Sequence, residues 1–163
     1  MDIADRVVLI TGASSGVGAA LATQLGQMGA HVVVNYSRSA EAAEAVVEQI
    51  TGARGQALAL QADVSEEADC KRLVAATIEQ FGQLDALVNN AGTTTFVPHD
   101  QLDALTEDIW LRTLRVNLIG AFMMSREAAP HIEAAGGGEI VMTSSIASMT
   151  ANGSSIAYCA SKA

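Results

Sequence analysis

The stretch that most constrains this chain is Thr11-Gly12-Ala13-Ser14-Ser15-Gly16-Val17-Gly18, set between two segments of different character. Before it, Val7-Val8-Leu9-Ile10 is a short apolar run with β-branched residues, which predicts a fully buried strand. After it, Val17, Leu21, Leu25 and Met28 recur at helical spacing and predict a helix with one apolar stripe. Strand, glycine-rich turn and helix, in that order, present unpaired backbone N–H groups and a helix dipole to a phosphate. The glycines permit positive φ and let the backbone approach a ligand that a Cβ would hold off. Taken alone, the pattern also fits a strand-to-helix turn with no ligand. The P-loop is excluded, because Val17 and Gly18 follow Gly16 where Lys and Ser/Thr are required. The spacing G-x-x-x-G-x-G also differs from the usual dinucleotide fingerprint.

The rest of the chain must therefore decide, and it predicts alternating strands and helices. Gly29 closes the first helix, and His31-Val32-Val33-Val34-Asn35-Tyr36 reads as a second buried strand. Ser39 is the expected cap of a helix through Glu41, Val46, Val47 and Ile50 to about Thr51, ended by Gly52. Residues 56–61 read as a third strand with Asp63-Val64 at its exit. Ser65 is the expected cap of the next helix, with Glu66 and Glu67 in its first turn and Leu73, Val74, Thr77, Ile78 and Phe81 along its stripe. Residues 84–88 read as a fourth strand ending in Asn89-Asn90-Ala91-Gly92, and 93–103, with Pro98, as a long loop. Thr106 is the expected cap of a long helix with Leu114, Leu118, Ala121, Phe122 and Ser125 on one face, broken at Gly136-Gly137-Gly138. A fifth strand at 139–143, the small-residue loop Ser144-Ser145 and a helix beginning near Tyr158 complete the order. The order predicts an α/β fold with a doubly wound parallel sheet in three α/β/α layers. Ligands of such sheets sit at the carboxyl ends of the strands, where the glycine turn, Asp63, Asn90 and Ser145 all fall.

Composition narrows the ligand. The 163 residues, half of them hydrophobic, suit one folded domain spanning 1–163. Nine basic against 18 acidic residues give a formal charge of −9, which argues against a nucleic-acid surface. Met1 to Arg6 is polar and no long apolar segment follows, so neither a signal peptide nor a membrane span is expected. Two cysteines, Cys70 and Cys159, make no disulfide framework and suit a reducing cytoplasm. His31, His99 and His131 share no metal-ligand spacing, so no metal is expected.

Tyr158-Cys159-Ala160-Ser161-Lys162 places Tyr158 and Lys162 on one helix face. A tyrosine of ordinary pKa, about 10, is a poor acid or base at neutral pH. An ammonium one turn away would stabilise tyrosinate and lower that pKa. On spacing alone, a surface Tyr and a surface Lys are the better description.

Together, the turn T-G-x-x-x-G-x-G, Asn89-Asn90-Ala91-Gly92, Asn117, Ser145 and the Tyr158/Lys162 pair make the whole chain resemble the classical short-chain dehydrogenase/reductase family, including its 3-oxoacyl reductase-like members. The resemblance implies a Rossmann-like NAD(P)-binding fold and hydride exchange between a nicotinamide and a small carbonyl or secondary alcohol. It implies that Tyr158 is the general acid/base, that Ser145 holds the reacting oxygen and that Lys162 holds the nicotinamide ribose and tunes Tyr158. Asn117 would order a proton relay, although a mid-helix Asn can instead bond a neighbouring carbonyl. Adjacent Ser144 is the alternative serine, with Ser145 fitting the family spacing better. Cofactor contacts are implied for Gly12, Ser14, Ser15, Gly16, Val17 and Gly18, for Asp63 (to the adenine amine) and Val64, and for Asn90, Ala91 and Gly92, besides Tyr158 and Lys162.

After the second strand, Asn35-Tyr36-Ser37-Arg38-Ser39 carries no carboxylate for a ribose 2′-hydroxyl but one arginine suited to a 2′-phosphate. NADP is therefore expected over NAD, with a solvated loop arginine as the other description of Arg38. Members of the family continue well past the equivalent of Ala163, so the chain is expected to be an N-terminal part, with a short final helix, a loosely held catalytic pair and an uncovered sheet edge. A full-length chain of this kind is expected to form a homodimer or homotetramer. The competing expectation is a nucleotide-binding module without catalysis.

Overall fold

The computed structural model describes residues 3–53 and 55–163. Strands β1 (Val7–Ile10), β2 (His31–Tyr36), β3 (Gln56–Gln61), β4 (Ala86–Asn89) and β5 (Glu139–Met142) form one sheet in the order β3-β2-β1-β4-β5. Every pairing is parallel. The chain winds outward from β1 to β3, then returns to lay β4 and β5 on the other side of β1. A crevice therefore opens beyond the carboxyl ends of β1 and β4, where the winding reverses.

Helices α1 (Gly16–Gln27), α2 (Ala40–Gly52), α3 (Glu67–Phe81), α4 (Glu107–Leu114) and α5 (Ala121–Ala134) flank the sheet, followed by the short α6 (Ala147–Thr150) and α7 (Ile156–Lys162). Successive strand residues point to opposite faces, and the two core clusters follow that alternation. Leu9, Val33 and Leu87 pack with Leu73, Met124 and Ile132 from α3 and α5. Val8, Ile10, Val32 and Val34 pack with Ala22, Ala43, Val46 and Ile50 from α1 and α2. The architecture is thus the expected doubly wound, three-layer α/β/α sheet. Burying each such Leu, Ile or Val contributes about 1.5–3 kcal/mol, which makes the strands a rigid platform for the loops at their ends.

Several boundaries differ from expectation for identifiable reasons. The α1 stripe lies only in part on its buried face: Leu21 and Leu25 pack against the core, whereas Val17 is 71% exposed, and Gly18, Ala22 and Gly26 are the buried residues. The close packing of α1 on α2 requires this, since a Cβ on Gly26 would collide with the Ile50 side chain. Gly52 lies inside α2, with Ala53 as its cap. Ser65 does not cap α3; Glu66 does, because the Ser65 N–H and hydroxyl both donate to Asp63 Oδ1, at 2.9 and 2.7 Å. Leu84 and Asp85 precede β4, and β5 ends at Met142. A 3₁₀ turn, Leu102–Ala104, sits in the long loop.

The long helix is continuous but is widened between α4 and α5 by a π-helical segment, Arg115–Gly120. Its Leu118 and Phe122 are exposed, while Asn117, Gly120, Met123 and Met124 face inward. The final helix begins at Ile156, two residues before Tyr158, because Ser155 caps it by accepting the Tyr158 N–H at 3.3 Å. Among the described residues β5 is an edge strand, with all four residues exposed.

Candidate active site

The glycine-rich turn is built by cross-bonds between the ends of β1, β2 and β4. Thr11 Oγ1 accepts the N–H groups of Asn90 and Ala91, each at 3.0 Å. The Asn90 amide donates to the carbonyls of Thr11 and Gly12, each at 3.0 Å. On the other side, Asn35 Oδ1 accepts the Gly12 N–H at 3.1 Å, while its amide donates to Leu60 and Ala62 carbonyls at 3.2 and 3.1 Å. The turn is therefore held between two asparagines. Two glycines are obligatory in it. Gly12 has φ +63°, and a Cβ there would stand 2.8 Å from Ala91 Cα. At Gly18 a Cβ would stand 2.7 Å from the Gly12 carbonyl oxygen.

Ser15 precedes α1 in extended conformation and its side chain makes no capping bond, nor does the first turn hold an acidic residue. The first N–H groups of α1 are thus left to an external acceptor, which is the condition for binding an anion. Ser14 and Ser15, just before them, line a cavity of about 520 Å³ together with Gly12, Arg38, Asp63, Val64, Asn90, Ala91 and Gly92, and with Asn35, Thr93, Arg112 and Val116. Nine residues expected to touch a cofactor thus share one concavity. Gly16, Val17 and Gly18 stand outside its wall, in the turn and first helical turn behind it. Asp63 is fixed by its acceptor bonds from Ser65 and by its own N–H donating to Asp69 Oδ2 at 2.8 Å.

Two of the four expected catalytic residues, Asn117 and Lys162, meet at Gly92 on the wall of that cavity. A Cβ on Gly92 would lie 3.5 Å from both Asn117 Oδ1 and Lys162 Nζ. Asn117 sits in the π-helical segment, a device that turns side chains out of the ordinary helical register and is frequent at functional sites. Its Oδ1 accepts the Thr93 N–H at 2.7 Å, and its amide donates to the Thr93 carbonyl and to Ser161 Oγ at 3.0 and 2.8 Å. It therefore bonds not its own helix but the loop after β4 and, through Ser161, α7. Lys162 Nζ donates to the Thr143 carbonyl at 2.8 Å, and burial holds its pKa below the ordinary lysine value. Ser144 Oγ donates to the Lys162 carbonyl at 2.8 Å, whereas Ser145 Oγ accepts the Ala147 N–H at 3.2 Å. Tyr158 is half-buried on α7, one turn before Lys162.

Sequence reasoning missed Thr11 and Asn35 as builders of the turn, and Arg112 on the cavity wall. Asn35 carried a signal, since it is a lone amide in an apolar strand and is only 1% exposed. Arg112 carried none, being one charge among several on α4. Among the described residues, no group of three or more His, Cys, Asp or Glu is placed to hold a metal ion, and no helix is long and apolar enough to cross a membrane.

Comparison with known proteins follows the same lines. A sequence model of the short chain dehydrogenase family matches residues 6–163. The chain is 45% identical over 155 residues to a protein assigned as ketoacyl reductase 2 of the granaticin polyketide synthase of Streptomyces violaceoruber, covering 95% of this chain and 61% of that one. It is 46% identical over 140 residues to versicolorin reductase 1 of Aspergillus parasiticus, covering 86% of this chain and 52% of that one. Among solved structures, a short-chain dehydrogenase/reductase from Serratia marcescens superposes with a TM-score of 0.88 at 36% identity, covering 99% of this chain and 64% of that one. The chain spans 52–61% of the length of these two curated relatives.

Proposed function

The chain belongs to the short chain dehydrogenase family, and from that premise we propose that it takes part in NADP(H)-dependent reduction of a small carbonyl compound or oxidation of the matching secondary alcohol. One observation carries the reading. Gly92 lines the nucleotide-sized cavity and is flanked by Lys162 Nζ and Asn117 Oδ1, each 3.5 Å from where its Cβ would stand, so the cavity runs directly into the Tyr158/Lys162 helix.

The residues present suit the cofactor. The uncapped start of α1 and the turn at Gly12 hold the pyrophosphate, and the Asp63 carboxylate accepts from the adenine amine beside Val64. Asn90, Ala91 and Gly92 line the path toward the nicotinamide ribose. Arg38 takes the 2′-phosphate, which favours NADP over NAD. When bound, a nicotinamide would supply or accept the hydride. Tyr158 gives its phenolic proton to the developing alkoxide oxygen in reduction and takes it back in oxidation. Ser145 donates a hydrogen bond to the same oxygen and fixes the carbonyl. Lys162 holds the nicotinamide ribose hydroxyls, and its positive charge favours the tyrosinate left after proton transfer. Asn117 keeps the Thr93 loop and α7 in register, so that the proton path past Lys162 stays ordered.

Assembly belongs to the same reading. Leu118, Ile119 and Phe122, 54%, 47% and 61% exposed, form an apolar strip on the long helix for a homodimer or homotetramer.

Tyr158→Phe removes the phenolic hydroxyl and with it the transferable proton. We expect it to lower turnover of ketones with NADPH by at least about a thousandfold while NADPH affinity measured by calorimetry stays within a factor of two or so. Unchanged turnover would refute the assignment of Tyr158, and NADPH binding with no turnover of any ketone by the unaltered protein would favour a nucleotide-binding module.

A further inference from the structure

Arginine and lysine side chains are scarce in this acidic chain, 9 against 18 carboxylates, and most of the described ones are committed. Arg6 pairs with Asp85, Lys71 with Glu67, Arg72 with Asp69, and Arg126 with Glu67 and Glu127. Arg115 donates to the Ser65 carbonyl and Lys162 to that of Thr143. Among the described residues only Arg38 and Arg112 have no side-chain hydrogen bond or ion pair, and both line the same cavity. Two unpaired cations on the wall of one concavity is a pattern suited to an anion.

The placement of Arg112 supports that reading. Asp108 lies four residues earlier on the same helix, where an ion pair is an ordinary outcome, yet the guanidinium forms none. Val116, four residues later, lines the cavity beside it. Beyond that, Gly120 presses the helix onto the strand exit, where a Cβ would stand 2.7 Å from the Val64 carbonyl oxygen. The long helix is thereby packed on Val64 at Gly120, with Val116 and Arg112 lining the cavity at earlier positions, while Arg38 lines it from the loop after β2.

We propose that Arg112 is a second anion-holding residue of this site, acting with Arg38 on a phosphate carried by the adenosine ribose. The inference rests on the NADP reading above and sharpens it. A phosphate monoester carries about −1.5 to −2 charge at neutral pH and three acceptor oxygens. One guanidinium fork can satisfy two of those oxygens and one unit of charge; a second fork meets the remainder. Specificity for the phosphorylated ribose then comes from two walls of the cavity, the β2 loop and α4.

The test compares 2′,5′-ADP with 5′-AMP, which differ only in the 2′-phosphate, by calorimetric titration of the unaltered protein, Arg38→Ala, Arg112→Ala and Arg112→Lys. The expected result is that Arg112→Ala weakens 2′,5′-ADP about tenfold, as loss of one charged hydrogen-bonding partner would. Its affinity for 5′-AMP should stay unchanged, and Arg112→Lys should recover part of the loss. If Arg112→Ala binds 2′,5′-ADP as the unaltered protein does while Arg38→Ala does not, the inference is overturned and the NADP reading stands. Equal weakening of both nucleotides overturns it as well, since Arg112 would then act on the shared adenosine. If the unaltered protein does not distinguish the two nucleotides, the NADP reading itself fails.

Discussion

Asp85 shows how one side chain can anchor the platform on which the site is built. It is buried at the entry to β4, accepts the Val7 N–H at 2.8 Å, and is held by the Arg6 guanidinium and the Gln83 amide, each also at 2.8 Å. Burial on its own would raise the pKa of Asp85, but these three hydrogen bonds outweigh it and hold the carboxyl below the ordinary value. A carboxylate depressed on folding adds stability that is complete above its unfolded pKa, about 3.9, and is lost as pH falls through the lower folded value. Urea unfolding between pH 6 and pH 3 (about the range in which carboxylates titrate) should therefore show stability falling at the acid end, with a shallower fall in Asp85→Asn. An unchanged acid limb in that variant would show that Asp85 is not part of it. At this scale the sequence was uneven as a guide. Tyr158, Lys162 and Arg38 stood out because their chemistry depends on type and spacing, whereas Asn35 and Asn117 act through partners 23 to 27 and 24 to 44 positions away. No local pattern records such distances.

Among the elements, the turn between β1 and α1 carries the strongest geometric demand. Gly18 is an ordinary helical residue by conformation, yet a Cβ there would meet the Gly12 carbonyl oxygen at 2.7 Å and crowd the Asn90 amide that staples the turn. Gly18→Ala should therefore cost about 1–3 kcal/mol of stability in thermal or urea unfolding and weaken NADPH disproportionately, because the turn is the part displaced. A variant of full stability and full affinity would mean that the turn tolerates movement. Strand positions were readable because each strand's hydrophobic run is local and its ends are marked by glycine or polar residues. Helix faces were less so. Only Leu21 and Leu25 of the α1 stripe pack against the core, because the close approach of α1 to Ile50 favours Gly26 and Ala22 at the most buried positions. The π-helical segment was invisible for a related reason, since its extra width is stabilised by Asn117 reaching Thr93 and Ser161.

At the scale of the molecule, the reversal of winding between β1 and β4 brings the proposed cofactor-binding loops to one rim. The glycine turn, Arg38, Asp63-Val64 and Asn90-Ala91-Gly92 line the cavity, and Asn117 and Lys162 flank its end at Gly92. That convergence was legible from the order of strands and helices, because a parallel sheet leaves its loops no other place to meet. The second arginine of the cavity was not, since its place depends on how the long helix packs, including on Val64 at Gly120. The most direct measurement is isotope transfer with NADPH carrying deuterium at the transferable position of its nicotinamide, using a panel of small ketones and mass analysis of the alcohols. The account predicts that the product carries deuterium on its new C–H bond, and that Tyr158→Phe forms no such product while still binding NADPH. Alcohol formed without label, or labelled equally by Tyr158→Phe, would contradict it.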